Sequence, residues 1–240
     1  MSTLHDSSPE HDPGDDRHGD PARHFDERAA DWDDEAKVER SRVVARAIRD
    51  QVDVDATTRV FEYGAGTGLT AQHLASDGAV GPVTLADPSA GMRQVMAAKI
   101  ADGRLPADAR LTSIDLASDD APDPQADPQA DPRWDPAARF DLIVTVMALH
   151  HIPDAARALA AMAQLLAPGG HLAIVDLDAE DGSFHADLEG FGGHDGFDRD
   201  RLTAMLVEAG FDEPTWRHVH HVVKHYQPYP LFLAVAAVAA

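Results

Sequence analysis

The sequence predicts an α/β fold: a doubly wound, mainly parallel sheet with helices on both faces and a C-terminal antiparallel hairpin. Three observations predict it. The stretch Arg59 to Leu69, R-V-F-E-Y-G-A-G-T-G-L, reads as a buried strand, a glycine turn and the start of a helix. Phe140 to Met147 and His171 to Asp178 are near-continuous apolar runs of strand length, the pattern of parallel strands covered on both faces. Finally, Thr215 to Tyr226 and Leu231 to Val238 alternate as strands, with Gln227-Pro228-Tyr229-Pro230 between them as the expected tight turn.

Length and charge bound the rest. A chain of 240 residues suits one ample core better than two domains. Residues 24–240 are expected to form it. Residues 1–23, rich in Asp, His, Pro, Ser and Gly, have too few large apolar side chains to offset the entropy of ordering and are expected to be an acidic disordered tail. A formal net charge of −22 argues against nucleic acid and anionic membranes, whose binding depends on Lys and Arg neutralising phosphates. Zero cysteines exclude disulfides and thiolate metal sites. The N-terminus has no apolar signal-like core, and Leu231 to Ala240 is too short to span a bilayer, so a cytoplasmic protein is expected. Nothing in the sequence sets the oligomeric state.

From Phe25 the text turns helical, with Val38, Ser41, Ala45 and Ile48 at helical spacing. One or two helices should precede the first strand. The glycine turn that follows that strand is the focus of the chemistry. Gly64, Gly66 and Gly68 let a ligand lie directly against backbone. Dinucleotide loops place glycines first, third and sixth, whereas here the sixth position is Leu69 and the third glycine has moved to the fifth. Glu62 stands two residues before the first glycine, and no Lys or Arg occurs between Val60 and Met92 to meet a phosphate. An acidic, phosphate-averse turn suits S-adenosylmethionine, which carries a sulfonium and an ammonium, better than NAD(P).

The order Glu62-x-Gly64-x-Gly66-x-Gly68 resembles the class I S-adenosylmethionine-dependent methyltransferases, whose fold is a Rossmann-like seven-stranded sheet. After a short helix from Leu69 to Ala75, the second strand, Pro82 to Ala86, ends in Asp87. This acid lies roughly twenty residues past the glycines, where such folds place a carboxylate on the ribose hydroxyls, and an exposed strand-end position is expected for it. Ser89 is positioned to cap a helix with Met92, Val95, Met96 and Ile100 inward. The resemblance puts Met92 beside the adenosine, has Asp115, after a third strand Leu111 to Ile114, accept from the adenine amine, and turns the amide of Leu116 to the ring. It also makes Phe25 and Trp32 candidates for a lid. Residues 117–137, with a repeated Ala-Asp-Pro-Gln, hold too much proline for a helix or central strand and read as an exposed insertion. Trp134 is the one large side chain there placed to anchor its end.

The fourth strand ends in Ala148-Leu149-His150-His151-Ile152-Pro153, a segment similar to small-molecule methyltransferases of the quinone-biosynthesis type. Ligands sit beyond the carboxyl ends of such strands, which brings both histidines near the chemistry. A helix over Ala155 to Leu166, with Leu159, Met162, Leu165 and Leu166 inward, stops at Pro168-Gly169-Gly170 before the fifth strand. The glycine-rich, aromatic loop Glu180 to Asp198 then reads as a lid or substrate wall, with Phe184, Phe191 and Phe197 as apolar surfaces. His185 and His194 in it resemble patterns of a bacterial subset of these enzymes. A last helix carries Leu202, Met205, Leu206 and Ala209 and stops at Gly210. His218 and His220 alternate onto one strand face, a metal-like spacing with no evident third ligand.

The function expected is in-line transfer of a methyl group from S-adenosylmethionine to a small-molecule acceptor, with no metal. His151, His194, His150 and His185, in that order, are the candidates for a catalytic base or acceptor contact. Glu62, Gly64, Gly66, Gly68, Asp87, Met92, Asp115 and Leu116 are the expected cofactor contacts. Two other readings stay open: an NAD(P)-dependent oxidoreductase, disfavoured by the glycine spacing and the terminal hairpin, and a catalytically silent S-adenosylmethionine-binding protein.

Overall fold

The structure is a computed structural model that describes residues 21–118, 139–188 and 190–239. Residues 119–137 of the expected insertion and most of the expected tail lie outside the described residues, as does Trp134, while Ala117, the first residue expected in the insertion, lines the crevice. The first helix, α1 (Pro21–Arg28), begins three residues inside the stretch expected to be tail. It is followed by α2 (Glu35–Arg49), whose N-cap Asp34 accepts from the Lys37 amide.

Strands β1 (Val60–Tyr63), β2 (Val83–Ala86), β3 (Arg110–Thr112), β4 (Phe140–Val146) and β5 (Leu166–Leu177) are parallel, and β6 (Thr215–Lys224) and β7 (Gln227–Ala237) form an antiparallel hairpin. The sheet order β3-β2-β1-β4-β5-β7-β6 inserts the last strand beside β5. Strand order reverses between β1 and β4, and a crevice opens beyond the carboxyl ends there.

Alternation along the strands splits the core between two faces. Val60, Leu85, Leu142 and Val175 pack with Val44 and Ile48 of α2 and Leu74 of α3 (Leu69–Leu74). Phe61, Ile143 and Ile174 face the other way, onto Leu159 and Met162 of α5 (Ala155–Leu165) and Leu202 and Leu206 of α6 (Arg199–Glu208). Burying side chains of this size stabilises by roughly 1.5–3 kcal/mol each before entropy is counted. Glu62 alternates onto the α2–α3 face, a placement that decides its chemistry. The remaining helix, α4 (Ala90–Ala101), is capped as expected: Ser89 Oγ accepts from the Met92 amide.

Three boundaries depart from the sequence reading. The third strand stops at Thr112, short of Ile114. The fifth begins at Leu166, paired with Phe140, and its register breaks before His171. The hairpin turns at His225 and Tyr226, with φ of 51° and 62°, while Gln227 to Pro230 lie inside β7. Two left-handed residues match the twist of a hairpin. Proline is tolerated here because the Pro230 carbonyl accepts from the Asp178 amide, so its missing N–H faces the side where β5 has already ended. A bulge between His218 and His220 also puts these two side chains on opposite faces, which removes the metal-like spacing. Among the described residues no helix is long and apolar enough to cross a membrane.

Candidate active site

The crevice is a cavity of about 360 Å³ lined by the glycine turn, the ends of β1, β2 and β4, and the N-terminal residues Phe25, Trp32, Arg40 and Ser41. That volume lies within the roughly 300–1,000 Å³ of small-molecule sites. The glycine turn is forced by packing. Gly64 has φ of 69°, and a Cβ there would sit 2.3 Å from Ala148 Cβ. The turn is thus pressed against the segment that follows β4.

Asp87 does more than end a strand. Its Oδ2 accepts from the Gly66 amide at 2.7 Å and its Oδ1 from the Ser89 amide at 2.9 Å, so one carboxylate ties the glycine turn to the start of α4. The side chain lines the cavity but is only 8% exposed, which corrects the expectation of an exposed strand end. Burial raises its pKa against the pull of these amides.

Glu62 is 2% exposed and accepts from the Ala71 amide of α3 at 2.9 Å. Burial pushes its pKa up to about 8. The shift favours the neutral carboxyl over the charged one. Lys99, fully buried on α4, pairs with Asp33 at 2.6 Å, and Asp33 also accepts from Thr67 Oγ1. This buried pair ties the segment before α2 to the glycine turn.

Arg40 of α2 lines the same cavity, its pKa lowered by burial, and its Nε is buried without a hydrogen-bond partner among the described residues. The sequence reading missed it. The signal was legible: Arg40, Val44 and Ile48 follow one another at four-residue spacing on the inward stripe.

On the β3 side, Asp115 Oδ1 accepts from the Tyr63 hydroxyl at 3.0 Å and the Ala117 amide at 2.9 Å. Burial, then Asp115, raises the Tyr63 pKa. Met92, Ile114, Asp115 and Ala117 line the cavity, but Leu116 does not. Its amide is already spent on the Tyr63 hydroxyl at 3.1 Å, so Leu116 is corrected as a ring contact. Phe25 sits edge-on to Trp32 and to His151, with ring centroids 5.7 and 5.4 Å away, on the cavity wall.

The four histidines divide. His151 lines the cavity. His150 is buried behind it, 1% exposed, with Nδ1 2.5 Å from Asp176 Oδ1 and its amide donating to Asp176 Oδ2. His185, 5% exposed, stacks on Phe191 with centroids 3.9 Å apart. Its pKa is lowered to about 4, first by burial and then by His150. His194 is turned away: its Nε2 contacts the Ile152 carbonyl at 3.0 Å and its amide donates to the His150 carbonyl. His194 therefore fastens the loop to the turn after β4 and is corrected as an acceptor contact. Asp176 was also missed, although a lone Asp in the run L-A-I-V-D-L is itself a signal, because a buried carboxylate needs a partner.

The loop after β5 is fastened to the body of the fold. Ser183 Oγ and Tyr229 Oη lie 2.8 Å apart, Lys224 Nζ donates to the Phe184 carbonyl, and Phe184 and Phe197 are buried in the core. None of its described residues lines the cavity, although His185 and Phe191 pack against His151, with ring centroids 5.2 and 5.5 Å away. Its compactness comes from packing on β7, which no local pattern announces.

Residues 20–227 match the family described as Methyltransferase domain. The chain is 31% identical over 127 residues to the ubiquinone biosynthesis O-methyltransferase of Alkalilimnicola ehrlichii, a match covering 52% of this chain and 44% of that one. The chain thus spans less than half the length of this relative. The fold is similar to that of a SAM dependent methyltransferase from Aquifex aeolicus (TM-score 0.59, 15% identity, 89% and 98% of the two chains). It is also similar to the [4+2]-cyclase SpnF (TM-score 0.61, 17% identity, 82% and 80%).

Proposed function

The chain belongs to the methyltransferase domain family, and we propose that it transfers a methyl group from S-adenosylmethionine to a small-molecule acceptor. The observation that carries this reading is that Glu62 and Arg40 both line one crevice: an acid and a base side chain for the ammonium and carboxylate of an amino-acid ligand. A dinucleotide would instead bring a pyrophosphate to a turn that has no cation of its own.

When bound, S-adenosylmethionine supplies an activated methyl group that needs no metal to leave. The residues do the rest. Asp87 keeps free lone pairs on both oxygens for the ribose hydroxyls while its amide contacts hold the turn in shape. Asp115 and Ala117 border the expected adenine position, and Met92 and Ile114 flank it with apolar surface. His151 stands at the acceptor side, and Phe25 and Trp32 close the wall above it, where excluded water favours a held, aligned acceptor. Orientation of this kind is worth up to roughly 7–11 kcal/mol of barrier.

Because a cyclase shares this fold, the test must see methyl transfer itself. Calorimetric titration should show S-adenosylmethionine and its demethylated product binding and NADH and NADPH not binding. Labelled S-adenosylmethionine with a panel of phenols, catechols and amines should then give a labelled product. Tighter binding of a nicotinamide cofactor overturns the reading.

A further inference from the structure

We propose that His150, His151 and His185 form a binding site for one divalent transition-metal ion, zinc in type, at the acceptor wall of the crevice.

One ring nitrogen from each of these residues lies within 4.8 Å of the other two. Two ring nitrogens of this cluster are anomalous. His150 Nε2 and His185 Nδ1 are buried and have no hydrogen-bond partner among the described residues. Buried polar atoms are almost always satisfied, so two side by side need a reason.

Asp176 supplies part of it. Its carboxylate, already accepting from the His150 and Leu177 amides, faces His150 Nδ1 at 2.5 Å. That contact makes Nδ1 the donor and leaves the lone pair on Nε2. A carboxylate that orients a histidine in this way is the usual support behind a metal ligand. The same carboxylate offsets the two cations nearby, Arg40 and Lys224, the latter itself paired with Asp187.

The topology also suits a ligand set. His150 and His151 sit in the short turn after β4, His185 in the short turn after β5, and both turns lie at the carboxyl edge of adjacent strands. Three imidazoles leaving a position open is a catalytic zinc pattern, and imidazole also suits copper, iron and nickel. With Zn–N bonds of about 2.0–2.1 Å, tetrahedral ligands stand about 3.4 Å apart, so the rings must draw in by about 1–1.5 Å at the widest pair. Imidazoles have a broad χ2 and can turn that far. His151 lines the crevice, so the ion would border the acceptor. On the proposed methyl-transfer reading, it would hold an acceptor oxygen and lower that oxygen's pKa. This departs from the metal-free site expected from the sequence.

The test loads the full-length protein with Co²⁺, whose visible absorption reports its ligands, and measures Zn²⁺ displacement by titration. Wild type should take up one equivalent with imidazole-type bands. His185→Ala and His151→Ala should each lose the bands, and Asp176→Asn should weaken binding by about 10–100-fold. Binding of the demethylated cofactor and thermal melts, run in parallel, show that each variant is folded. Replacing His218, His220 and His221 together, or the tail residues His5, His11 and His18, should leave the bands unchanged. Bands that survive in His185→Ala, or that vanish with the strand or tail replacements, overturn the site, as does a wild type that binds no Co²⁺. Because cofactor binding is read separately, loss of the metal and failure of the methyltransferase reading give different results.

Discussion

The donor side and the acceptor side of the crevice are built on opposite principles. Around the glycine turn, the carboxylates of Asp87, Glu62, Asp115 and Asp33 each accept from a backbone amide, a hydroxyl or a buried lysine. Behind His151, two buried imidazole nitrogens have no such partner among the described residues. Satisfied networks rigidify; unsatisfied ones mark a place where a ligand completes the structure. The carboxylate frame of the donor side is therefore pre-formed, while the open Nε of Arg40 and the two imidazole nitrogens of the acceptor side are where a ligand completes the structure.

The largest effect expected from breaking this contrast is on the acceptor side. His151→Ala should lower turnover by about 10²–10⁴ while leaving S-adenosylmethionine affinity nearly unchanged. Single-turnover rates alongside calorimetric affinity check this, and near-normal turnover would make the histidine structural. On the donor side, Gly64→Ala forces a Cβ into Ala148 at left-handed φ. Strain at such a position costs about 1–3 kcal/mol before the overlap is counted, so a lower midpoint of denaturation and lost cofactor binding should come together.

Asp87→Ala should weaken cofactor binding by about 1.5–3 kcal/mol, the worth of hydrogen bonds to a charged group, and should also lower the melting temperature because the Gly66 and Ser89 amides lose their acceptor. A variant with full thermal stability would show that the turn holds its shape unaided.

A subtler contrast lies in Glu62. Its native pKa, about 8, is above that of an ordinary carboxyl at 4.5, so the folded state binds more protons between those values and stability falls as pH rises through that window. Glu62→Gln should flatten the slope. At neutral pH a bound cation must draw the carboxyl into its charged form, so S-adenosylmethionine binding should release up to about one proton, seen as a binding enthalpy that varies with buffer. A buffer-independent enthalpy would sink the pairing of Glu62 with the ammonium. The smallest effect is reserved for deletion of 121–131, which should leave melting temperature and cofactor affinity nearly unchanged, since loop-closure cost changes slowly with length.

Much of the donor side was legible in the sequence because its signals are local. Three glycines after an apolar strand dictate a turn, an acid at the end of the next strand follows from strand length, and Ser89 three residues before Met92 is a cap. The strand order needed the same local patterns plus the terminal hairpin, although the hairpin's turn was misplaced because prolines at 228 and 230 look like breakers unless one knows which edge of the strand is paired. What the sequence by itself determined, then, is the sheet, the glycine turn and the acids around it, each set by backbone geometry within a few residues. Only tertiary structure decided that Arg40 shares the crevice with Glu62, that Lys99 is buried against Asp33, that His194 turns away, and that His150, held by Asp176, meets His151 and His185. Those contacts join residues up to 66 positions apart, and which of several chemically similar side chains meet depends on strand register and loop packing, for which local pattern has no signal.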